Sequence, residues 1–530
     1  MTTPNRSAVG SVVFVGAGPG DPGLLTLRAA EALADADVVV TDRDDHRAFL
    51  SHARADVEVI DCGHDEDGLP LTAAVRSRRV VSASKGGRRV VRLLDGDPFT
   101  HPTGADEALA CAKAGVPFEV VPGVSDVTAV PGYAGIPLAA GRKRSVAIVD
   151  ASDKVDWNHH TADTLVLLRA TELAEVCAGL MEAGRAADTP AAAIASGTTV
   201  EQRTVVSTLA KLAGDVTAAK LTPSVVVVGD VVNHRETLSW FETKPLFGWR
   251  VLVPRTKEQA GALSTALRRA GGVPEEVPTI SVEPPRNPQQ IDKAVRGMVE
   301  GRYEWIAFTS YNALRAVKEK LVEYGLDARA MSGLKVAAVG EKTAAALRAW
   351  GIEPDLVPSG EQSARGLLAE WPPYDEVLDP INRVFLPRAD IATETLVAGL
   401  VDLGWEVDDV TAYRTVRAAP PPAETREAIK TGKFDAVVFT SSSTVRNLVG
   451  IAGKPHSSTV IACIGPATAK TAEEHGLRVD VLAPEPSVEM LAESLADYGA
   501  ARRLSLIEAG EPVTRPSEKC RRRAARRQAT

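Results

Sequence analysis

Short runs of Val, Ile and Leu recur along the chain, and each is followed by an Ala- and Leu-rich stretch in which apolar positions fall three or four apart. Examples of the runs are "RVVRLL" at Arg89, "TLVLL" at Thr164, "SVVVVG" at Ser224 and "DAVVFTS" at Asp435. Runs without polar alternation predict strands buried on both faces, and the intervening period predicts covering helices, which together give parallel α/β domains. With 530 residues the chain exceeds what one core supports, and about three or four domains are expected. The segment "WFETKPLFGWRVLVPR", Trp240 to Arg255, carries few helix signals and starts a fresh strand, so a major boundary is expected near residue 246.

The first strand runs into a turn, "VVFVGAGPGDPGLLTLRAAEAL" from Val12. A dinucleotide loop needs Gly-x-Gly-x-x-Gly so that a pyrophosphate meets bare backbone at a helix start. Here Gly16, Gly18 and Gly20 are followed by Asp21 and Pro22. The carboxylate repels a pyrophosphate and the proline removes an amide donor. The loop is therefore expected to bring its backbone close to something other than phosphate.

Beyond the boundary the pattern repeats. "WIAFTSYNALRAV" from Trp305 recurs as "AVVFTSSSTVRNL" from Ala436, "VAAVGEKTAAALRAWGIEPDLVP" from Val336 as "VIACIGPATAKTAEEHGLRVDVLAP" from Val460, and "VLVPR" at Val251 as "VFLPR" at Val384. Matched pairs in one order, too far apart for a solenoid, predict two similar α/β modules facing each other across a cleft. In both modules a strand ends in Thr-Ser before a helix, at Thr309-Ser310 and Thr440-Ser441. Such hydroxyls cap helices, and strand ends are also where ligands bind, so both roles stay open. The turns "AVGEKTA" and "CIGPATA" put Thr343 and Thr468 at two more helix starts, which makes four ends suited to carboxylates.

Composition narrows the function classes. Hydrophobic residues at 45% and charged ones at 25% fit a globular protein. No apolar run reaches membrane-spanning length and "MTTPNRSAVG" has no apolar signal core, so a cytoplasmic protein with no membrane partner is expected. The five cysteines form no metal or disulfide spacing. Aromatic content of 5% and a net charge of −8 argue against a nucleic-acid partner. The cluster "EKCRRRAARRQ" closes a Pro- and Arg-rich stretch without apolar periodicity, so residues 503–530 are expected to be a basic disordered tail, and residues 1–10 a flexible N-terminus.

Residues from about 250 to 500 resemble the uroporphyrinogen-III synthases through both FTS turns, both Gly-x-x-Thr-Ala turns, the VLVPR and VFLPR strands and "AYRT" at Ala412. The resemblance implies closure of hydroxymethylbilane to uroporphyrinogen III with inversion of the last ring, and no cofactor. It implies a synthase region over 247–502. In it a two-stranded connector joins module one (about 250–280 plus 416–500) to module two (about 284–412), and the first strand packs with the C-terminal module. Tyr413 matches a family tyrosine proposed to assist loss of the substrate hydroxyl. As a phenol with an ordinary pKa near ~10 it is a weak acid, and a packing role has equal standing. Thr309, Ser310, Thr343, Thr440, Ser441 and Thr468, with Arg255 and Arg388 at the ends of the two Pro-Arg strands, are the expected substrate contacts.

Residues from about 11 to 245 resemble the S-adenosylmethionine-dependent uroporphyrinogen-III methyltransferases. The matches run in order: "VGAGPGDPGLLTLRA", "DR" at Asp42, "GDPF" at Gly96, "EVVPGVS" at Glu119, "YAGIPL" at Tyr133, "EAGR" at Glu182, "GTTVEQR" at Gly197 and "KPLFG" at Lys244. This implies a two-lobed α/β region, with lobes at 11–141 and 142–245, that makes precorrin-2 and is capable of forming a homodimer. Asp42 and Arg43 are the implied catalytic residues. Pro19, Asp95, Gly96, Asp97 and His101 are implied cofactor contacts, as are Ser125, Asp126, Arg169, Gly197 and Thr198. A cationic methyl donor also suits the nearby carboxylates of Asp21 and Asp97.

Departures from that family are equally specific. Asp95 stands where a glycine is usual and Thr103 where an arginine is usual. "CGHDEDG" replaces a Gly-Lys-Arg element near residue 63, Arg169 replaces a methionine, and Ser125-Asp126 replaces Thr-Ser. They imply weak donor binding and leave two other functions open: a first half that only holds tetrapyrrole or structure, and a non-enzymatic two-lobed binding protein.

Overall fold

The structure is a computed structural model; it describes residues 10–518 apart from 44, 66, 256 and 392. The expected N-terminal flexible stretch therefore lies almost wholly outside the described residues, as do 519–530.

Among the described residues twenty strands form four five-stranded sheets. The first contains β1 (Ser11–Gly16), β2 (Val38–Thr41), β3 (Glu58–Asp61), β4 (Arg89–Leu94) and β5 (Phe118–Val121), in the order β3-β2-β4-β1-β5 with every pairing parallel. Val12 and Phe14 of β1 enter one apolar cluster while Val15 enters another, so helices cover both faces and the strand has no polar alternation. Arg92 breaks the apolar run of β4. It is wholly buried and bound by Glu107, Nε to Oε2 at 2.7 Å, and by Asp42 at 3.1 Å.

The second sheet contains β6 (Val146–Asp150), β7 (Thr164–Leu168), β8 (Pro190–Ala195), β9 (Arg203–Thr208) and β10 (Val225–Val228), in the order β6-β7-β10-β8-β9. Here the expected parallel pattern gives way: only β6 and β7 run parallel, and the other three pairings are antiparallel. Both faces are still buried, which is why its strands look the same in sequence: Leu165 and Leu167 pack on one side, Val166 and Leu168 on the other. The turn joining β8 to β9 holds Gly197 and Thr198.

The third sheet contains β11 (Arg250–Val253), β12 (Val273–Glu276), β18 (Ala436–Phe439), β19 (Val460–Cys463) and β20 (Val481–Leu482), in the order β12-β11-β18-β19-β20. The fourth contains β13 (Ile280–Glu283), β14 (Trp305–Phe308), β15 (Lys335–Ala338), β16 (Arg383–Ala389) and β17 (Glu406–Arg417), in the order β13-β17-β16-β14-β15. The first strand of the repeat pairs with the C-terminal one, Val251 opposite Ala436. β13 and β17 run antiparallel, Ile280 opposite Arg417 and Glu283 opposite Arg414.

The chain divides into two compact units. One holds residues 1–249, 267–273 and 496–513, the other 250–266, 274–495 and 514–530. A helix spans Val488–Glu508, so residues 503–508 are helical where a disordered tail was expected. Its apolar residues are spread around the axis, which is why no helical stripe marks it in the sequence. Further on, Ser517 donates its backbone N–H to the buried Asp435 at 2.9 Å.

Candidate functional site

In the first unit the loops after β1, β4 and β5 meet backbone to backbone. A Cβ on Gly16 would stand 2.5 Å from the Gly96 carbonyl oxygen and from the Gly123 Cα, and one on Gly123 would overlap the same oxygen. Gly18 and Gly96 exchange backbone hydrogen bonds of 3.2 and 2.9 Å, both at positive φ. Gly16 is thus consumed by packing between loops, while Gly18, Pro19 and Gly20 face open space.

Those three residues line a cavity of about 470 Å³ together with Arg43, His46, Phe49, Asp95, Asp126, Val130, Ser196, Gly197, Thr199 and Glu201. The sequence-expected residues brought together here are Pro19, Arg43, Asp95, Asp126 and Gly197. Gly96 and Ser125 stand behind them, Ser125 accepting from Val127 N–H at 3.3 Å as a helix cap. His101 lies 3.9 Å from Asp126 Oδ2. Thr198, 2% exposed, accepts from Asp21 N–H at 3.1 Å and donates its own N–H to Gln202.

The remaining expected residues are engaged elsewhere. Asp42 is absent from the cavity wall and binds Arg92. Burial pushes its carboxyl up, but the Arg92 guanidinium outweighs this and holds it below the usual range. Asp97 accepts from Phe99 N–H at 2.9 Å and Gly123 N–H at 3.1 Å. Asp21 accepts from Gly23 N–H and from the Tyr133 hydroxyl, both at 2.8 Å, and burial with that carboxylate pushes the phenol up. Both carboxylates thus hold the loops around them together, and neither lines the cavity. Arg169, at φ 53°, pairs with Asp150.

Asp95, in place of the usual glycine, lines the cavity with both carboxylate oxygens engaged. Its Oδ1 accepts from His46 Nε2 at 2.9 Å and its Oδ2 from Arg43 at 3.3 Å. The His46 ring, 3% exposed, is fixed on its far side by Thr41 Oγ1, 2.9 Å from Nδ1. His46 and Thr41 escaped sequence reasoning; the signal was the misplaced carboxylate itself, which had to find a partner.

In the second unit the two repeats divide the work among four helix starts. Ser310 caps Tyr311–Glu323, accepting from Ala313 N–H at 3.2 Å, and Ser441 caps Ser442–Ala452 in a reciprocal box with Thr444. Their capping role is realised. The Tyr413 hydroxyl is 3.0 Å from Ser310 Oγ, with the ring inside the apolar cluster that includes Phe308 and Phe385. Helices Glu341–Ala349 and Pro466–Glu474 start instead at Gly340 and Gly465, which offer no side-chain cap. Gln362 Oε1 accepts from Glu341 N–H at 3.1 Å. Thr343 and Thr468 sit in the first turns, 6% and 4% exposed. Thr309 is partly buried, and Thr440 Oγ1 is enclosed without a hydrogen-bond partner. Arg388 is bound by Asp409, by Glu394 at 3.0 Å and by the Thr393 carbonyl, so it is not available as the carboxylate contact expected of it. Arg255, at the matching strand end, is partly buried, which pulls its guanidinium down.

Residues 11–213 match the family model "Tetrapyrrole (Corrin/Porphyrin) Methylases", and residues 261–493 match "Uroporphyrinogen-III synthase HemD". The porphyrin biosynthesis protein HemD of Ruminiclostridium josui is 33% identical over 506 residues, 92% of this chain and 98% of that one. The chain belongs to this family of fused tetrapyrrole methylases and uroporphyrinogen-III synthases. It is an enzyme of tetrapyrrole biosynthesis with a synthase half and a C-methyltransferase half. The siroheme synthase of Pseudomonas fluorescens is 41% identical over 243 residues, where the match covers 44% of this chain and 52% of that one. Among solved structures, the uroporphyrin-III C-methyltransferase of Thermus thermophilus matches 44% of this chain and 97% of its own, at 33% identity and a TM-score of 0.38. Among the described residues no helix is long and apolar enough to cross a membrane, and no group of side chains has the makings of a metal site.

Proposed function

We propose that the synthase half closes hydroxymethylbilane to uroporphyrinogen III and that the methylase half converts this product to precorrin-2 with S-adenosylmethionine. The observation that carries the second step is the cavity of about 470 Å³ walled by Gly18, Pro19, Gly20, Asp95, Asp126 and Gly197. Its volume suits a nucleoside-sized ligand, its loop wall has little side chain, and its acidic groups suit a cation rather than a phosphate. S-adenosylmethionine, when bound, supplies an electrophilic methyl group. The protein's part is to hold it still: Asp95 is a fixed acceptor because His46 and Arg43 pin both of its oxygens. Arg43 and Asp42 then have separate jobs, Arg43 in the wall and Asp42 in positioning the buried Arg92.

For the synthase half, the first turns at Gly340 and Gly465, whose own cap residues have no side chain, support binding of substrate carboxylates, with Thr343 and Thr468 beside them. Tyr413 serves mainly to pack and to orient Ser310. The principal catalytic contribution is holding a flexible bilane in a ring-closing conformation. The protein acts in the cytoplasm, and its methylase half is the surface through which it dimerises. Calorimetric titration of the full chain with S-adenosylmethionine tests the donor assignment: saturable one-to-one binding is expected, weakened by Gly197→Val, and absence of binding to the folded chain contradicts it.

A further inference from the structure

The turn joining β8 to β9 is strained where it lines the cavity. Ser196 and Thr198 are not glycines, yet they stand at φ 49° and 65°, and Ser196, Gly197 and Thr199 form part of the wall. Residues with side chains rarely adopt that backbone, so such a turn keeps its shape only where its surroundings impose it. Those surroundings are a chain of buried hydrogen bonds. Thr198 donates its backbone N–H to Gln202 Oε1 at 2.8 Å, and Gln202, itself buried, donates from Nε2 to Glu242 Oε1 at 2.8 Å. The same Glu242 oxygen accepts from Thr204 Oγ1 at 2.6 Å, and its other oxygen accepts from Arg235 at 2.8 Å. A carboxylate only accepts, so Glu242 decides which way the Gln202 amide faces: Nε2 turns to Glu242 and leaves Oε1 for Thr198.

Glu242 belongs to "WFETKPLFG", Trp240 to Gly248, a segment whose sequence marks only a boundary. Its influence reaches the glycine loop by two routes. Along the first, Asp21 donates its backbone N–H to Thr198 Oγ1 at 3.1 Å, and a Cβ on Gly20 would stand 2.9 Å from Thr199 Cγ2, so the loop rests directly on the strained turn. Along the second, Trp240 and Phe241 pack on the Tyr133 ring, with centroids 5.0 and 4.7 Å away, and the Tyr133 hydroxyl donates to Asp21 Oδ2 at 2.8 Å. Resting on the methyl-donor assignment above, we propose that Glu242 is a positioning residue of the methylase half. Through Gln202 it holds the turn 196–199, and through that turn the loop 18–21, in the shape that receives the donor. Glu242 is absent from the cavity wall, so it acts on the ligand only through the backbone it fixes.

The test sets calorimetric titration with S-adenosylmethionine beside thermal unfolding, both on the full chain. Glu242→Ala should weaken binding about tenfold, as expected for loss of one hydrogen bond to a charged group. It should raise KM for the donor more than it lowers kcat, because the residue shapes the site without meeting a reacting atom. Gln202→Glu sets two carboxylates face to face and should weaken binding at least as much. Adding Glu242→Gln to it restores a donor opposite an acceptor and should recover most of the affinity. Leu209→Ala empties space in the core of the same lobe, away from the wall. It should lower the unfolding temperature at least as far as Glu242→Ala does and leave the dissociation constant unchanged. Wild-type affinity in Glu242→Ala, or an equal loss in Leu209→Ala, would overturn the positioning role and leave the methyl-donor assignment standing. Should Glu242→Ala not fold, the exchanged pair decides, and no recovery there overturns the role. Absence of binding to the folded wild type would overturn the donor assignment itself.

Discussion

The glycines that end β1, β4 and β5 and the glycines that begin helices Glu341–Ala349 and Pro466–Glu474 look alike in sequence, each between an apolar strand and a helix. In the methylase half they are spacers: Gly16, Gly96 and Gly123 touch one another, and no side chain fits between them. In the synthase half they are looser: a Cβ on Gly340 would meet only the Gln362 side chain, Oε1 at 3.2 Å, and Gly465 has no atom within 4 Å of where its Cβ would be, with a φ of −176° that any residue adopts. One half builds a cavity from loops locked together, so single positions are irreplaceable. The other presents several similar helix starts, so its function is spread over them.

The sharpest way to break this contrast is Gly123→Ala. The new methyl meets backbone on two sides, and a cost at the upper end of ~1–3 kcal/mol is expected in the methylase half, with loss of methyl-donor binding. Thermal unfolding and titration check it, and synthase turnover should stay near the wild-type value. Unchanged donor binding would mean that the loops slide apart and that the glycines are not spacers.

Asp95→Gly comes next. Restoring the usual family residue looks like a repair, but it strands the buried His46 Nε2 and removes one partner of Arg43, at an expected cost of about 1–3 kcal/mol. A double change, Asp95→Gly with His46→Ser, should recover much of this. A gain in stability or donor affinity from Asp95→Gly alone would show that the carboxylate is an obstruction.

In the synthase half the combined Thr343→Ala and Thr468→Ala change should slow turnover by roughly tenfold, and Tyr413→Phe only a few-fold, since an orienting hydrogen bond is worth about 0.5–1.5 kcal/mol. Steady-state assays of the type III isomer separate the two. Abolition of turnover by Tyr413→Phe in folded protein would concentrate in one phenol what is here assigned to several groups.

The smallest effect is expected from Gly465→Ser. The hydroxyl has room to cap Pro466–Glu474 and should add a few tenths of a kcal/mol to stability. It should also compete with substrate for the freed amides and lower turnover severalfold. Stabilisation without any kinetic loss would show that this helix start does not meet substrate.

The division into α/β halves and the internal repeat could be read from the chain because buried strands and paired motifs leave strong local marks. Several features left no such mark. The antiparallel pairings around β10 are invisible because a strand buried on both faces reads the same in either direction. The helix Val488–Glu508 has no apolar stripe to announce it. Of the cavity-lining residues, those on glycine loops were legible, since loop chemistry is local. Those whose meaning depends on a partner far along the chain were not: Asp95 became intelligible only beside His46, and Asp42 and Arg388 only beside Arg92 and Asp409.

One measurement bears most directly on the claim that a single chain closes the macrocycle and then methylates it. Purified full-length protein is supplied with hydroxymethylbilane, with and without S-adenosylmethionine, and the products are separated by isomer and by mass. Uroporphyrinogen III without the donor, and precorrin-2 with it, is the predicted outcome. Uroporphyrinogen III that stays unmethylated when the donor is present at saturating concentration would contradict it.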